Sequence, residues 1–315
     1  MSPDRILHEL SDLWVGLSKP VQGEANAGVL RACTMTLLVL SEESDDPSVL
    51  GETIAALMPE HPARAILIRL HPDGPRALSE RVYAQCWMPF GQRRQICCEQ
   101  VEITASDAAL ADLPSVVLPL AVSDLPVILW CRASRLLGMP EFRAIAGMAT
   151  RVVLDSAAMA DPQAALRRLA SASERTVLGD LAWTRLTRWR ELLSQVFENR
   201  ELLSHIASIS EARVRFGPGY ETSARYLAAW VSGCHSKVKA AVESDPATPT
   251  LALDLSGEGV HVSLRRKDQR LIATVNEISQ CTNLPQPGDY TLMREELAIT
   301  SRDPVFERTL RSASS

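Results

Sequence analysis

Apolar and polar positions alternate in two different rhythms along the chain. Ile6, Leu7, Leu10, Leu13, Trp14 and Leu17 recur every three to four residues, which predicts an amphipathic helix ended by Pro20. Residues 20–30, rich in Gly, Ala and Asn, then read as a loop. The aliphatic run TMTLLVL (34–40) predicts a buried strand, a helix follows from Asp45, Asp46 and Pro47 to Met58, and Arg64 to Leu70 is a second buried strand. Strand, helix and strand in that order predict a parallel pair with a crossover. RVYAQCWM and RRQICCEQVEIT alternate and predict a hairpin turned by PFGQ (89–92). Val127–Cys131 and RVVLDS (151–156) add two strands, and Asp161 with Pro162 opens a helix.

From about residue 175 the rhythm changes. DLAWTRLTRWRELL (180–193) heads a long helix, NRELLSHI continues helically, ISEARVRF is a strand, and YETSARYLAAWVSGCHSKVKAAV is a second long helix. After the Pro-containing loop SDPATPT come three strands, TLALDLS, GVHVSLRRK and RLIATVNE, turned by GEG and DQ. The final segment, TLMREELAITSRDPVFERTL, is helical and split near Asp303 and Pro304. The expected fold is α/β, or α+β overall. An N-terminal layered α/β domain with a mixed sheet occupies 1–174, and a C-terminal α+β domain with long helices and a small antiparallel sheet occupies 175–315.

Composition narrows the function. A hydrophobic fraction of 46% with 23% charged residues is that of a globular chain with a real core. No window nears the ~20 apolar residues of a membrane span, and MSPDRILHELSDLW lacks the apolar centre of a secretory signal. A cytoplasmic, non-membrane protein is expected. The formal charge of -5 argues against a nucleic-acid partner, which needs a basic surface; SLRRKDQR (263–270) reads as a solvated hairpin turn. The seven cysteines (Cys33, Cys86, Cys97, Cys98, Cys131, Cys234, Cys281) are scattered, fall in no CxxC and read as buried reduced thiols. Cys97 and Cys98 sit on opposite faces of a strand, so a redox switch would need other partners. The six histidines pair at no metal-ligand spacing, so no metal is expected.

The motif search finds little catalytic chemistry. GxxxxGK[ST], GxGxxG and GxSxG are all missing from the sequence, so neither a cofactor nor a catalytic residue is assigned. GPGY (217–220) between strand and helix reads as a turn. The acidic run at 42–46 follows the first strand's carboxyl end, where open α/β sheets bind ligands, but helix capping accounts for it.

The densest feature is DLAWTRLTRWRELL. At 100° per residue Trp183, Leu186, Trp189, Leu193, Val196 and Phe197 share one face, Thr184, Thr187, Arg188, Glu191, Ser194 and Gln195 take the other, and Arg185 and Arg190 edge the apolar stripe. Asp180 suits the N-cap. Core packing and a docking surface both fit, since Trp and Arg also dominate interface hot spots.

This stretch resembles the DLxWxRLxPWR signature of the glucose-6-phosphate dehydrogenase assembly protein family (OpcA). The N-terminal LW helix, TMTLLVL with HPARAILI, LPLAVSDLPVILWCR and the closing LMREELAITSRDPVFERTL follow that family's order. The resemblance implies a bacterial, non-catalytic accessory protein that binds glucose-6-phosphate dehydrogenase and promotes its assembly or activation in the oxidative pentose phosphate pathway. It maps the signature onto Asp180, Leu181, Trp183, Arg185, Leu186, Trp189 and Arg190, and the earlier segment onto Pro119, Asp124, Pro126 and Trp130. Asp180, Trp183, Arg185, Trp189, Arg190, Asp124, Pro126 and Trp130 are therefore the candidate interface or motif residues. Within them Trp183 and Trp189 would be packed anchors, and Arg185 and Arg190 would bond outward. Arg188 stands where the signature has proline, which would leave the helix uninterrupted. The competing reading is a sugar-phosphate or nucleotide-binding α/β enzyme that uses the loops after Leu40 and Trp130, with arginines as anion clamps.

Overall fold

The structure, a computed structural model, describes residues 2–17, 29–73, 76–88, 95–235 and 237–315. The chain divides into two compact units, Met1–Leu154 and Asp155–Ser315.

The first unit contains, in chain order, α1 (Pro3–Leu17), β1 (Val29–Arg31), β2 (Met35–Glu42), α2 (Pro47–Leu57), β3 (Ala63–His71), β4 (Leu78–Trp87), β5 (Gln95–Ser106), α3 (Leu113–Leu120), β6 (Val127–Cys131), α4 (Pro140–Ala146) and β7 (Arg151–Leu154). Its parallel strands lie in the order β5-β3-β2-β6-β7, with β1 beside the start of β5 and β4 antiparallel to β5. The chain runs outward from β2 to β3 and β5 on one side, then returns to β6 and β7 on the other, which is the doubly wound pattern with its switch point between β2 and β6. β2 is buried on both faces, and Leu37, Leu38, Val39 and Leu40 are fully enclosed, which is why it reads as an unbroken apolar run. Asp46 caps α2 through bonds from the Ser48 and Val49 amides. α1 packs on β4 and α3, and the Trp14 indole donates to Glu99, a buried carboxylate that also takes Arg64 at 2.5 Å and Arg31 at 2.7 Å.

The second unit contains α5 (Pro162–Ser173), β8 (Val177–Asp180), α6 (Leu181–Thr184), α7 (Thr187–Val196), α8 (Arg200–His205), β9 (Ile209–Phe216), α9 (Glu221–Cys234), β10 (Ala240–Ser244), β11 (Leu251–Gly257), β12 (Val260–Lys267), β13 (Arg270–Val275), β14 (Ile278–Asn283), α10 (Asp289–Leu297) and α11 (Pro304–Ala313). Its six-stranded sheet runs β10-β9-β11-β12-β13-β14. β9, α9 and β10 form a parallel crossover, and the other pairings are antiparallel. α5 packs with α9 and α11, so the division at 154/155 places it in the second unit, whereas the boundary read at 174 falls after it.

The fold is α/β, and four sequence expectations change within it. The helix expected to run on from residue 180 breaks at Arg185 and Leu186. The second long helix stops at Cys234, and residues expected to extend it form β10, whose partner is β9. β14 was not anticipated; Asn276 takes a positive φ of 51° in the turn before it, and Ile278–Asn283 is too polar to show an apolar period. The small antiparallel sheet is thus larger and mixed. The thiols also differ from expectation: Cys86 and Cys97, directly paired across β4 and β5, form a disulfide, and Cys234 and Cys281 are exposed. The PFGQ turn and most of the 20–30 loop lie outside the described residues. Among the described residues no helix is long and apolar enough to cross a membrane.

Candidate functional site

The tryptophan and arginine stretch lies in the second unit and is joined to it by several buried side-chain bonds. Asp180 ends β8, is 1% exposed, and accepts from the Ala182 amide at 3.0 Å as the N-cap of α6. The same oxygen takes the Ser156 amide at 3.0 Å, and the other takes the Tyr226 hydroxyl at 2.7 Å. Burial, and then the nearby Asp155 carboxylate, push Asp180 up to about 6. Tyr226 is fully buried on α9, and its ring meets Trp183 at 5.8 Å and Phe306 of α11 at 6.1 Å, with Trp183 and Phe306 6.0 Å apart. One side chain therefore ties a strand end, two helices and the turn at Ser156 to one another.

Trp183 and Trp189 are each 4% exposed, so both are packed. The arginines are engaged inside the unit, contrary to the expectation that they bond outward. Arg185 forms a two-pronged pair with Asp155 at 2.8 and 2.6 Å. Arg190 lies over the Trp183 ring at 3.5 Å and donates to Thr187, and burial pulls it down to about 10. Thr184, expected on the polar face, is buried and donates to Glu296 of α10 at 2.5 Å. All four residues of α6 are buried, so this short helix has no polar face, and the break at 185 and 186 ends the single 100° register. The break also assigns Arg188 to the first turn of α7, where a residue needs no amide hydrogen and proline is tolerated. Helix continuity therefore does not depend on which residue stands there.

The earlier segment separates into exposed and buried members. Asp124 and Pro126 are exposed, Asp124 has a φ of 64°, and the Pro126 carbonyl accepts from the Thr36 amide at 2.9 Å. Pro119 lies in the last turn of α3. Trp130 is 1% exposed and carries the Arg132 guanidinium 5.1 Å above its ring. The structure therefore brings Asp180, Trp183, Arg185, Trp189 and Arg190 together and leaves Asp124, Pro126 and Trp130 in the first unit. Sequence reasoning missed Tyr226, Ser156 and Asp155. The available signal was a tyrosine within an apolar helix face, since a buried hydroxyl needs a partner.

At the switch point of the first unit, where a doubly wound sheet can hold a nucleotide, the β2–α2 loop is Glu43 to Asp46 and contains no glycine. Carboxylates there are bonded internally: Asp45 of the loop takes Arg132 at 2.7 Å, and Glu42 at the end of β2 takes Arg135 at 2.9 Å. Arg135 also forks onto Asp107 at the end of β5. The arginines offered as anion clamps are thus occupied by the chain's own carboxylates.

Comparison with known proteins gives the following. The model described as the glucose-6-phosphate dehydrogenase subunit N-terminal domain matches residues 54–171, and that described as the corresponding C-terminal domain matches 176–310. A relative from Synechocystis sp., named an OxPP cycle protein OpcA, is 26% identical over 189 residues, covering 59% of this chain and 39% of the relative. Its namesake from Synechococcus elongatus is also 26% identical, covering 59% and 41%. The match thus spans about two fifths of the relatives' length. Among solved structures, an NAD binding oxidoreductase from Klebsiella pneumoniae matches with a TM-score of 0.49 at 10% identity, covering 88% of this chain and 94% of that one. Biliverdin reductase from Synechocystis sp. matches with a TM-score of 0.46 at 9% identity, covering 89% and 97%. With two consecutive family domains matched in order across most of its length, the chain belongs to the glucose-6-phosphate dehydrogenase assembly (OpcA) family.

Proposed function

We propose that this protein is a non-catalytic accessory factor of the oxidative pentose phosphate pathway that binds glucose-6-phosphate dehydrogenase and promotes its assembly or activation. The observation that carries the reading is the ordered match of both family domains. The switch point supports it: Asp45 with Arg132 and Glu42 with Arg135 fill the position at which the competing enzyme reading would hold an anion. A partner can shift the enzyme toward an active oligomer only by binding that state more tightly than the others. The buried signature, Asp180, Trp183 and Trp189, then acts as scaffold for whichever exposed surface meets the enzyme.

The test is a titration of the purified chain into glucose-6-phosphate dehydrogenase of the same organism, with activity and sedimentation followed together. A saturable complex with increased activity or a shift toward the larger oligomer is expected. No complex, with unchanged activity and sedimentation at micromolar concentrations of both proteins, overturns the reading.

A further inference from the structure

A cavity in the second unit opens between the α6–α7 break, the start of α9 and the end of β12, bordered by Arg185, Arg266, Ser223 and Thr250. Its volume is about 60 Å³. Since one water needs roughly 10–15 Å³ of such space, the cavity has room for about five non-hydrogen atoms. That is the size of a tetrahedral oxyanion and far below that of a dinucleotide.

Its polar groups match such an occupant. α9 has 14 residues, and no side chain caps its start at Tyr220; the first amides of a helix point outward without partners and favour an anion. The GPGY turn before it is fixed by the Gly217 amide bonding to the Thr250 carbonyl at 2.8 Å and by a positive φ of 81° at Gly219. A side chain at Gly217 would strike the Thr248 carbonyl, so the turn holds α9 against that loop. Ser223, 6% exposed, borders the cavity, and its side chain makes no hydrogen bond among the described residues. The Thr250 hydroxyl is buried and likewise without a partner. Buried hydroxyls are seldom left unpaired, so that of Thr250, with the largely buried Ser223 beside it on the same cavity, marks a place for a ligand.

The charges agree. Arg266 makes one bond, to the Asp268 carbonyl, and no ion pair among the described residues, so its charge is not neutralised within the unit. Arg185 is already paired with Asp155 and lies within electrostatic reach of Asp289. Glu221, the carboxylate in the first turn of α9, is held by Arg225 at 2.8 Å. We propose that this cavity binds the phosphoryl group of a small phosphorylated compound, held by the α9 amides, the Ser223 and Thr250 hydroxyls and the Arg266 guanidinium. This places a small-molecule site beside the family's signature helix and in a different unit from the sheet switch point.

The test uses the intact chain and inorganic phosphate, with potassium acetate and potassium chloride at equal ionic strength as the other arms. Phosphate at about ten times its Kd raises the melting temperature by about 2 °C, as mass action requires for a chain of this size. Acetate and chloride do not. Arg266→Ala weakens phosphate binding by about tenfold or more, the usual loss for a charge-assisted bond, and Thr250→Val weakens it to a lesser degree. Titration calorimetry measures both variants, and unchanged circular dichroism establishes that they fold. If Arg266→Ala does not fold, Thr250→Val decides. No response to phosphate, an equal response to acetate or chloride, or undiminished phosphate binding in the folded variants overturns the assignment.

Discussion

Tyr226 on α9 donates a 2.7 Å hydrogen bond to Asp180 at the end of β8, 46 residues earlier in the chain, and both side chains are inaccessible to solvent. Removing the hydroxyl leaves a buried carboxylate oxygen without its donor. Tyr226→Phe is therefore expected to lose about 1–3 kcal/mol of stability with little change in packing. Urea denaturation followed by far-UV circular dichroism measures it, and a loss indistinguishable from zero would show that the bond is not structural.

The same carboxyl makes stability depend on pH. Asp180 is pushed from its ordinary 3.8 up to about 6 by burial and, next, by Asp155. A raised acid binds its proton more tightly in the folded state, so its contribution is fully present below about pH 4 and is lost as pH rises through about 6. Two units correspond to about 3 kcal/mol. Asp180→Asn keeps the oxygen that caps α6 and cannot titrate. The stability of the variant minus that of the wild type is expected to climb between pH 4 and pH 7. Parallel pH profiles would refute the assignment.

Arg188→Pro restores the signature residue in the first turn of α7. It is expected to cost less than about 1 kcal/mol, whereas Glu191→Pro, one turn further in, costs about 3 kcal/mol or more. Thermal melts of the two variants compare these costs directly. An equal, large loss in both would mean that α6 and α7 act as one continuous helix.

Arg190 stacks on Trp183 while burial works against its charge. The stem and the ring contact stabilise, and the desolvated charge partly offsets them. Arg190→Ala is expected to cost about 1–2 kcal/mol and to shift tryptophan emission to longer wavelength, with Arg190→Met costing less. A larger loss for Met than for Ala would show that the guanidinium charge dominates.

The disulfide between Cys86 and Cys97 leaves five free thiols. Alkylation of the denatured, unreduced chain should label those five, with exposed Cys234 and Cys281 reacting first in the native protein. Cys131, which burial pushes up to about 12, should react last. Cys86→Ser should lose about 2–4 kcal/mol. Seven labelled thiols without reductant would exclude the bond.

Much of the fold was legible because its signals are local. TMTLLVL, HPARAILI and VILWC read as buried strands since each is enclosed on both faces of a parallel sheet. Asp46, Asp161 and Asp303, each just before a proline, marked helix starts where their side chains do accept backbone amides. β10 and β14 were not legible: AAVES and ISQCTN are largely exposed, so only the neighbouring strand makes them strands.

The candidate site divides along the same line. The sequence by itself determined family membership, the alternating architecture and the capping role of Asp180, because residue type and spacing carry that information, and left open whether Trp183 and Trp189 are buried or face a partner. Only the tertiary structure decided that the helix breaks at Arg185 and Leu186, that Arg185 answers to Asp155 and Arg190 to Trp183, and that Tyr226 reaches Asp180. Those relationships join residues distant in sequence or change the register of a helix. A one-dimensional period does not encode which carboxylate, ring or hydroxyl will stand across the core, and there the cost of leaving a buried polar group unpaired selects the partner.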